Sequence, residues 1–177
     1  MRDAGKRDRF EEAVLCHLDA AYNLARWLTR EEAGAEDALQ EACLRAFRFF
    51  DSQHGPSPKA WFMAIVRNAC LDWLKEHRQR AAEEEYDDDV HGGTTGGSEQ
   101  PEAAAARTAD ACWLHECMAA LPREYREVMV LRELEELSYK EISAIVGVPM
   151  GTVMSRISRG RDLLQERLLE ARRRRRS

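Results

Sequence analysis

Thr152, Ser155, Arg156 and Arg159 set two hydroxyls and two guanidiniums at helical spacing. Such groups bond to phosphate oxygens and to base edges in a major groove. A second constellation lies earlier: Trp61, then Asn68, Asp72 and Lys75 at spacings of four and three, then the basic cluster His77-Arg78-Gln79-Arg80. Aromatic and amide groups beside a basic helix can stack on unpaired bases and hydrogen-bond to them, which points to melted DNA. A third, Cys112-Trp-Leu-His115-Glu116-Cys117, has metal-ligand residue types. On one helix, however, Cys117 points about 140° away from Cys112, so the four side chains cannot converge on one ion, and no metal or other cofactor is expected. No P-loop, paired catalytic carboxylates or nucleophile with its base is found, so an enzyme is not expected.

The elements that position these groups follow from apolar spacing. Ser138 and Glu141 make an S-x-x-E capping box that starts a helix at about residue 139, with Ile142, Ile145 and Val146 on its apolar face. Gly147 can take the positive φ that ends it, and Pro149 suits the first turn of the next helix. In that helix Val153, Ile157, Gly160 and Leu164 face a core, with Thr152, Ser155, Arg156 and Arg159 on the opposite side. This is a helix-turn-helix; its plainer alternative is a helical hairpin with a solvated arginine face. In the N-terminal half, Phe10, Val14, Leu15, Leu18, Tyr22 and Ala25 mark one amphipathic helix ending near Thr29. A second helix spans about Gly34 to Phe50, with Ala38, Leu39, Ala42, Ala46, Phe47 and Phe50 inward and Asp37, Gln40, Glu41, Arg45 and Arg48 outward. A prolyl loop, Asp51 to Lys59, leads to a third helix over about Ala60 to Arg80, whose buried stripe is Phe62, Ile65, Val66, Ala69 and Trp73.

The predicted fold is all-α: an N-terminal domain of three to four helices over residues 1–80, an acidic flexible linker over 81–111, and a helix-turn-helix domain over 112–177. The formal net charge of -5 becomes intelligible when divided along the chain. The first 80 residues hold 13 basic and 13 acidic side chains, residues 81–111 hold 1 and 9, and residues 112–177 hold 13 and 10. The acidity therefore belongs to the linker, and from Arg156 onward 9 basic residues face 3 acidic ones, as a phosphate binder requires. The run Glu83 to Asp89 and the glycine-rich run Gly92 to Gly97 cannot bury apolar surface, so the linker is expected to stay flexible. Stretched out it could span roughly 100 Å, and as a coil about 30 Å, which would let two DNA-reading domains stand several duplex turns apart. Five cysteines argue against a disulfide framework. No apolar run approaches a membrane span and no signal-peptide core opens the chain, so a cytoplasmic protein without membrane contact is expected.

Three stretches carry a resemblance. Ala35 to Arg48 (AEDALQEACLRAFR), Ser57 to Arg80 (SPKAWFMAIVRNACLDWLKEHRQR) and Leu121 to Leu164 (LPREYREVMVLRELEELSYKEISAIVGVPMGTVMSRISRGRDLL) resemble, in that order, regions 2 and 4 of bacterial RNA polymerase sigma factors. Small size and the lack of a middle domain resemble the extracytoplasmic-function class. The resemblance implies that Asp37, Gln40 and Glu41 dock on the clamp helices of the largest polymerase subunit. It implies that Lys59, Trp61, Asn68, Asp72 and Lys75 take the -10 element and capture an extruded base of the non-template strand, with Arg78 and Arg80 on phosphates. By the same resemblance Thr152, Ser155, Arg156 and Arg159 serve the -35 element, the acidic linker threads a basic channel of the polymerase, and an anti-sigma factor is an expected partner. Two departures stand out: Met154 replaces a lysine common in relatives, and Glu76 and Gln79 interrupt the basic run that ends the third helix. The closing run Arg172 to Arg176 is expected to be a frayed basic tail.

The function expected on these grounds is an alternative-type sigma factor that binds core polymerase and directs promoter-specific initiation. Two other readings remain open on the residues alone. One is a helix-turn-helix regulator acting without core polymerase through an N-terminal sensor or dimerisation domain. The other makes the N-terminal half a metal or redox sensor built on its cysteines and histidines.

Overall fold

The computed structural model describes residues 2–84 and 105–176, and every regular element among them is helical. The elements are α1 (Arg2–Ala13), a 3-10 turn (Leu15–His17), α2 (Leu18–Thr29), α3 (Glu32–Phe49), a second 3-10 turn (Phe50–Ser52) and α4 (Pro58–Glu84). They continue with α5 (Ala105–Ala119), α6 (Arg123–Met129), which runs into a π turn (Val130–Leu134), α7 (Tyr139–Val146) and α8 (Met150–Arg176).

The single N-terminal helix expected through Thr29 is two helices. The chain leaves α-geometry at Val14 (φ -121°) and bends through Leu15–His17. Tertiary contact accounts for the bend: it turns α1 so that Phe10 meets Phe47 and Phe50 edge-on at 5.2 and 5.5 Å, and Lys6 reaches Asp51 at 2.9 Å. Apolar spacing could not show this, because Phe10 and Val14 are buried in either arrangement. Phe47, expected inward, is 38% exposed, because α1 covers only one edge of its ring.

α2, α3 and α4 pack on one another around Leu24, Leu28, Phe62, Met63 and Val66, all essentially inaccessible to water. The Trp73 ring of α4 lies over Gly34 of α3, where an added Cβ would stand 2.6 Å from the ring, so a methyl group would force the ring to shift. Trp73 in turn stacks on His77 at 4.7 Å.

In the C-terminal half the capping box forms as expected: the Ser138 hydroxyl accepts from the Glu141 N–H at 3.2 Å, and the Glu141 carboxylate accepts from the Ser138 N–H at 2.9 Å. Gly147 ends α7 at φ 76°. Val153, Ile157 and Gly160 of α8 are buried, with Gly160 against Met129 of α6. Arg126, buried at 5% exposure, holds the chain between α5 and α6 by donating through Nη1 to the carbonyls of Ala119 and Leu121 at 2.8 and 2.9 Å.

The linker expected over residues 81–111 is helical at both flanks, since α4 continues to Glu84 and α5 begins at Ala105. Alanine in both flanks, joined by glutamate in the first, is a strong helix former, and this propensity extends the helices beyond the last apolar positions. Residues 85–104, including the glycine-rich run, lie outside the described residues.

The two helical halves meet along a seam. α4 packs along α7, and α2 packs on α6 and the π turn, so the buried side chains of both halves form one cluster. The halves therefore do not stand apart as the reach of the linker would have allowed.

Candidate nucleic-acid interface

The constellation of Trp61, Asn68, Asp72 and Lys75 lies on α4. Asn68, Asp72 and Lys75 are exposed on one face, as their spacing predicted, and Arg78 and Arg80 are exposed beyond them. Asp72 is held in place: Arg45 of α3 donates through Nη1 to Asp72 at 2.9 Å and through Nε to Glu41 at 2.6 Å. Hydrogen bonds to Asp72 and Glu41 push the guanidinium pKa up. One arginine thus ties a residue of the expected -10 set to a residue of the expected polymerase set, a tie between helices that neither spacing revealed. Trp61 is half-buried, its ring 6.4 Å from that of Phe50, and one part stays open. Arg78 is partly spent on its own helix, donating to the Leu74 carbonyl at 3.2 Å.

Lys59 is differently placed. Its ammonium donates across the seam to the Glu135 carbonyl at 3.1 Å and lies 3.5 Å from the Glu135 carboxylate. Beside it Ser57 donates to Glu141 at 2.7 Å, and Asn23 donates to Glu135 at 2.7 Å. Glu141 is thus both the capping-box acceptor and a seam acceptor. Burial acts to raise its pKa, but the Ser138 N–H, the Ser57 and Ser138 hydroxyls and the Lys59 charge outweigh this and hold it below the usual carboxylate value.

The third surface is the outer face of α3. Asp37, Gln40 and Glu41 are exposed there as expected. Gln40 borders an apolar groove of about 450 Å³ between α2 and α3, lined also by Leu18, Glu36, Leu39, Cys43 and Leu44. Leu44 is 61% exposed and Phe49 54%. The surface thus has an apolar half beside the charged one expected from Asp37, Gln40 and Glu41. Leu44, four residues beyond Gln40, was the available signal, since it falls on the outward stripe of the helix.

On α8 the four expected contacts divide. Ser155 and Arg159 are exposed, and the Ser155 hydroxyl donates to the Thr152 carbonyl at 3.0 Å. Thr152 and Arg156 are half-buried and do not lie opposite the core stripe. At 100° per residue they sit beside Val153 and Ile157, at the margin of the buried face. Arg156 accordingly turns toward α6, with Nη2 3.5 Å from Glu124 and Nη1 3.9 Å from Glu127. Glu127 is 2% exposed and also takes a bidentate pair from Arg67 of α4, at 2.9 and 3.2 Å. A buried carboxylate therefore stands between guanidiniums from the two halves, and neither Glu127 nor Arg67 was singled out from the sequence. Met150 and Met154 are each 46% exposed on the outer side of α8.

The cysteine and histidine cluster is dispersed. Cys112 is exposed, Cys117 is buried, and the His115 ring packs against Trp27 at 4.3 Å. Cys70 is buried in the first half, and burial pushes its thiol pKa up to about 12, far from the range of a reactive thiolate. Among the described residues no helix is long and apolar enough to cross a membrane.

Comparison with known proteins gives these surfaces a context. Residues 13–80 match the profile of Sigma-70 region 2, and residues 113–164 match that of Sigma-70, region 4. The ECF RNA polymerase sigma factor SigW of Bacillus subtilis is 32% identical over 93% of this chain and 91% of its own length. The ECF sigma factor SigE of Mycolicibacterium smegmatis is 33% identical over 94% of this chain, and the chain spans 64% of that protein's length. Among solved structures, the sigma factor RpoE of Bartonella quintana, in complex with the anti-sigma factor NepR, superposes with a TM-score of 0.71 at 27% identity, covering 90% of this chain and 96% of that one. With regions 2 and 4 in order on one all-α chain and near-complete alignment to SigW, the chain belongs to the extracytoplasmic-function family of RNA polymerase sigma factors.

Proposed function

We propose that the protein is a promoter-specificity subunit that acts in the cytoplasm with core RNA polymerase and has no catalytic activity of its own. The observation that carries this reading is the placement of two exposed faces side by side on α3 and α4, joined by Arg45. The α3 face, with Asp37, Gln40 and Glu41 beside the Leu44 groove, has the mixed apolar and acidic character of a protein-docking surface and would take the clamp helices. The α4 face offers an amide, a carboxylate and cations beside Trp61, and would hold the melted -10 strand. Extruding a base costs a few kcal/mol of stacking, which a pocket with these groups can offset without nucleotide hydrolysis.

Residues 1–80 would form the polymerase and -10 domain, residues 112–177 the -35 domain, and the acidic segment between them would thread the polymerase. Ser155 and Arg159 would contact the -35 duplex directly. Thr152 and Arg156 would join them once Arg156 leaves Glu124 and Glu127. An anti-sigma factor, of the kind bound to RpoE in the solved complex, is the expected silencing partner.

In vitro transcription with purified core enzyme tests the proposal. Addition of this chain should yield promoter-dependent transcripts from a genomic library, and promoter fragments should be bound specifically only with core enzyme present. Absence of any promoter-dependent product would sink the proposal.

A further inference from the structure

Beside the seam lies a cleft of about 600 Å³ to which the sigma-factor reading assigns no small molecule, although it gives two of the lining arginines, Arg78 and Arg156, to promoter DNA. Its wall carries six arginines from both halves: Arg30, Arg67 and Arg78 from the first, Arg123, Arg126 and Arg156 from the second. Only two carboxylates, Glu124 and Glu127, share that wall, leaving an excess of four positive charges. Pairing within the wall is incomplete. Glu127 takes Arg67, Arg156 shares Glu124 and Glu127, and Arg30 and Arg123 are exposed with no carboxylate partner among the described residues. Arg126 is 5% exposed; its Nη1 is spent on backbone carbonyls, and its buried Nε has no hydrogen-bond partner. Burial, with the like charges of Arg30 and Arg123, pulls the Arg126 pKa down, so positive charge is crowded here at an energetic cost.

A concave site of this size accommodates a small molecule, and planar guanidiniums suit phosphate oxygens in pairs. A DNA duplex is a poorer match, because Arg126 is buried and Arg67 and Arg156 are half-buried at the seam, leaving only Arg30, Arg78 and Arg123 exposed at its rim. Apolar side chains, Leu28 and Leu74, complete the wall. We infer that the seam cleft is a binding site for a small oligophosphate anion, which would bridge α4 to α6 and α8 and favour the packed arrangement of the two halves. The inference stands on this geometry and does not depend on polymerase binding.

The test is calorimetric titration of the full chain with sodium tripolyphosphate at about 0.15 M salt, where exposed charges are screened beyond about 8 Å. Saturable binding at one site per chain is expected. The double variant Arg30→Gly, Arg123→Ser should weaken it by at least about tenfold, since two charge-assisted contacts are lost. Both positions are exposed and outside the proposed DNA-contact set, and glycine fits the φ of 64° at Arg30, so the variant should keep its fold by circular dichroism. A companion variant, Arg172→Ser with Arg174→Ser in the basic tail, should bind as the parent does. ATP without magnesium separates the sources of the phosphate: tighter binding than tripolyphosphate assigns the site to a nucleotide, and equal or weaker binding to an inorganic chain. Lack of saturation, an unaltered affinity in the Arg30/Arg123 variant, or loss only in the tail variant would overturn the inference. So would a random-sequence duplex that displaces tripolyphosphate from the parent chain and itself depends on Arg30 and Arg123.

Discussion

The two surfaces proposed to read DNA differ in what they touch in the packed molecule. On α4, Asn68, Asp72 and Lys75 face solvent, and the one firm tie, Asp72 to Arg45, stays within the first half. On α8, the arginine nearest the core is drawn to carboxylates at the seam, and on the other side of the same seam Lys59 is held by Glu135. Distance from the seam therefore decides which DNA-directed groups are free. A cation partly withdrawn from water is stabilised by whatever carboxylate is nearest, and in this arrangement those carboxylates are supplied by the protein. For Arg156 and Lys59 to meet phosphate, these partners have to be exchanged for DNA.

The contrast can be broken most forcefully at Glu127. Glu127→Ala leaves Arg67 and Arg156 facing each other without their shared acceptor, and is expected to cost about 3 kcal/mol of unfolding free energy in a urea titration, in the range for opening a buried ion pair. A loss below about 0.5 kcal/mol would mean the pair has the small value of a surface bridge and that the seam is held by apolar contact. Next in size is Gly34→Ala, which forces a methyl group against Trp73 and should destabilise the α3–α4 pair by about 1–3 kcal/mol in the same assay. Because the Gly34 contact is with Trp73 and shares no bonding partner with Glu127, the variant's effect should be additive with that of Glu127→Ala.

Two smaller substitutions sharpen the comparison functionally. Asn68→Ala should lower open-complex formation about tenfold, roughly 1.4 kcal/mol, while polymerase binding measured by fluorescence anisotropy is unchanged. Equal losses in both would count against base capture. Arg156→Ala should weaken selection at the -35 element by about 1 kcal/mol, the low end for a base contact, because release from Glu124 and Glu127 opposes it. An unchanged preference at that element would place the recognition face elsewhere on α8.

The smallest effect is a pH dependence. Glu141 has a lowered pKa in the folded protein, so the unfolded chain binds its proton more readily. Its contribution is fully present above the ordinary carboxylate value near 4.5 and is lost as pH falls through the depressed folded value. Ser57→Ala removes one bond that stabilises the charged form and should flatten the stability profile below about pH 4.5, a change visible in denaturation midpoints.

Much of the helix-turn-helix was legible in the sequence because its signals are local. The capping box spans four residues, Gly147 acts on its own backbone, and the stripe of Val153, Ile157 and Gly160 lies within two turns. The exposed faces of α3 and α4 were equally legible from helical periodicity. The break between α1 and α2 was not, since its cause lies in Phe47, Phe50 and Asp51, far along the chain. Nor were the seam partners: Asn23 and Glu135 are 112 residues apart, and Arg67 and Glu127 are 60. Periodicity tells which face of a helix is covered and is silent about what covers it. The misplacement of Arg156 has a simpler origin, because a residue next to the apolar stripe is on neither side of a helix, and two-sided reading assigned it to the outer one.

The stack of Trp27 on His115 gives the seam an optical signature. One ring belongs to α2 and the other to α5, at 4.3 Å. Indole emission is sensitive to a neighbouring imidazole and to water, so separation of the halves would change the contribution of Trp27 to the emission of the four tryptophans. The protein thus carries a built-in fluorophore through which any parting of its two halves can be followed without a label.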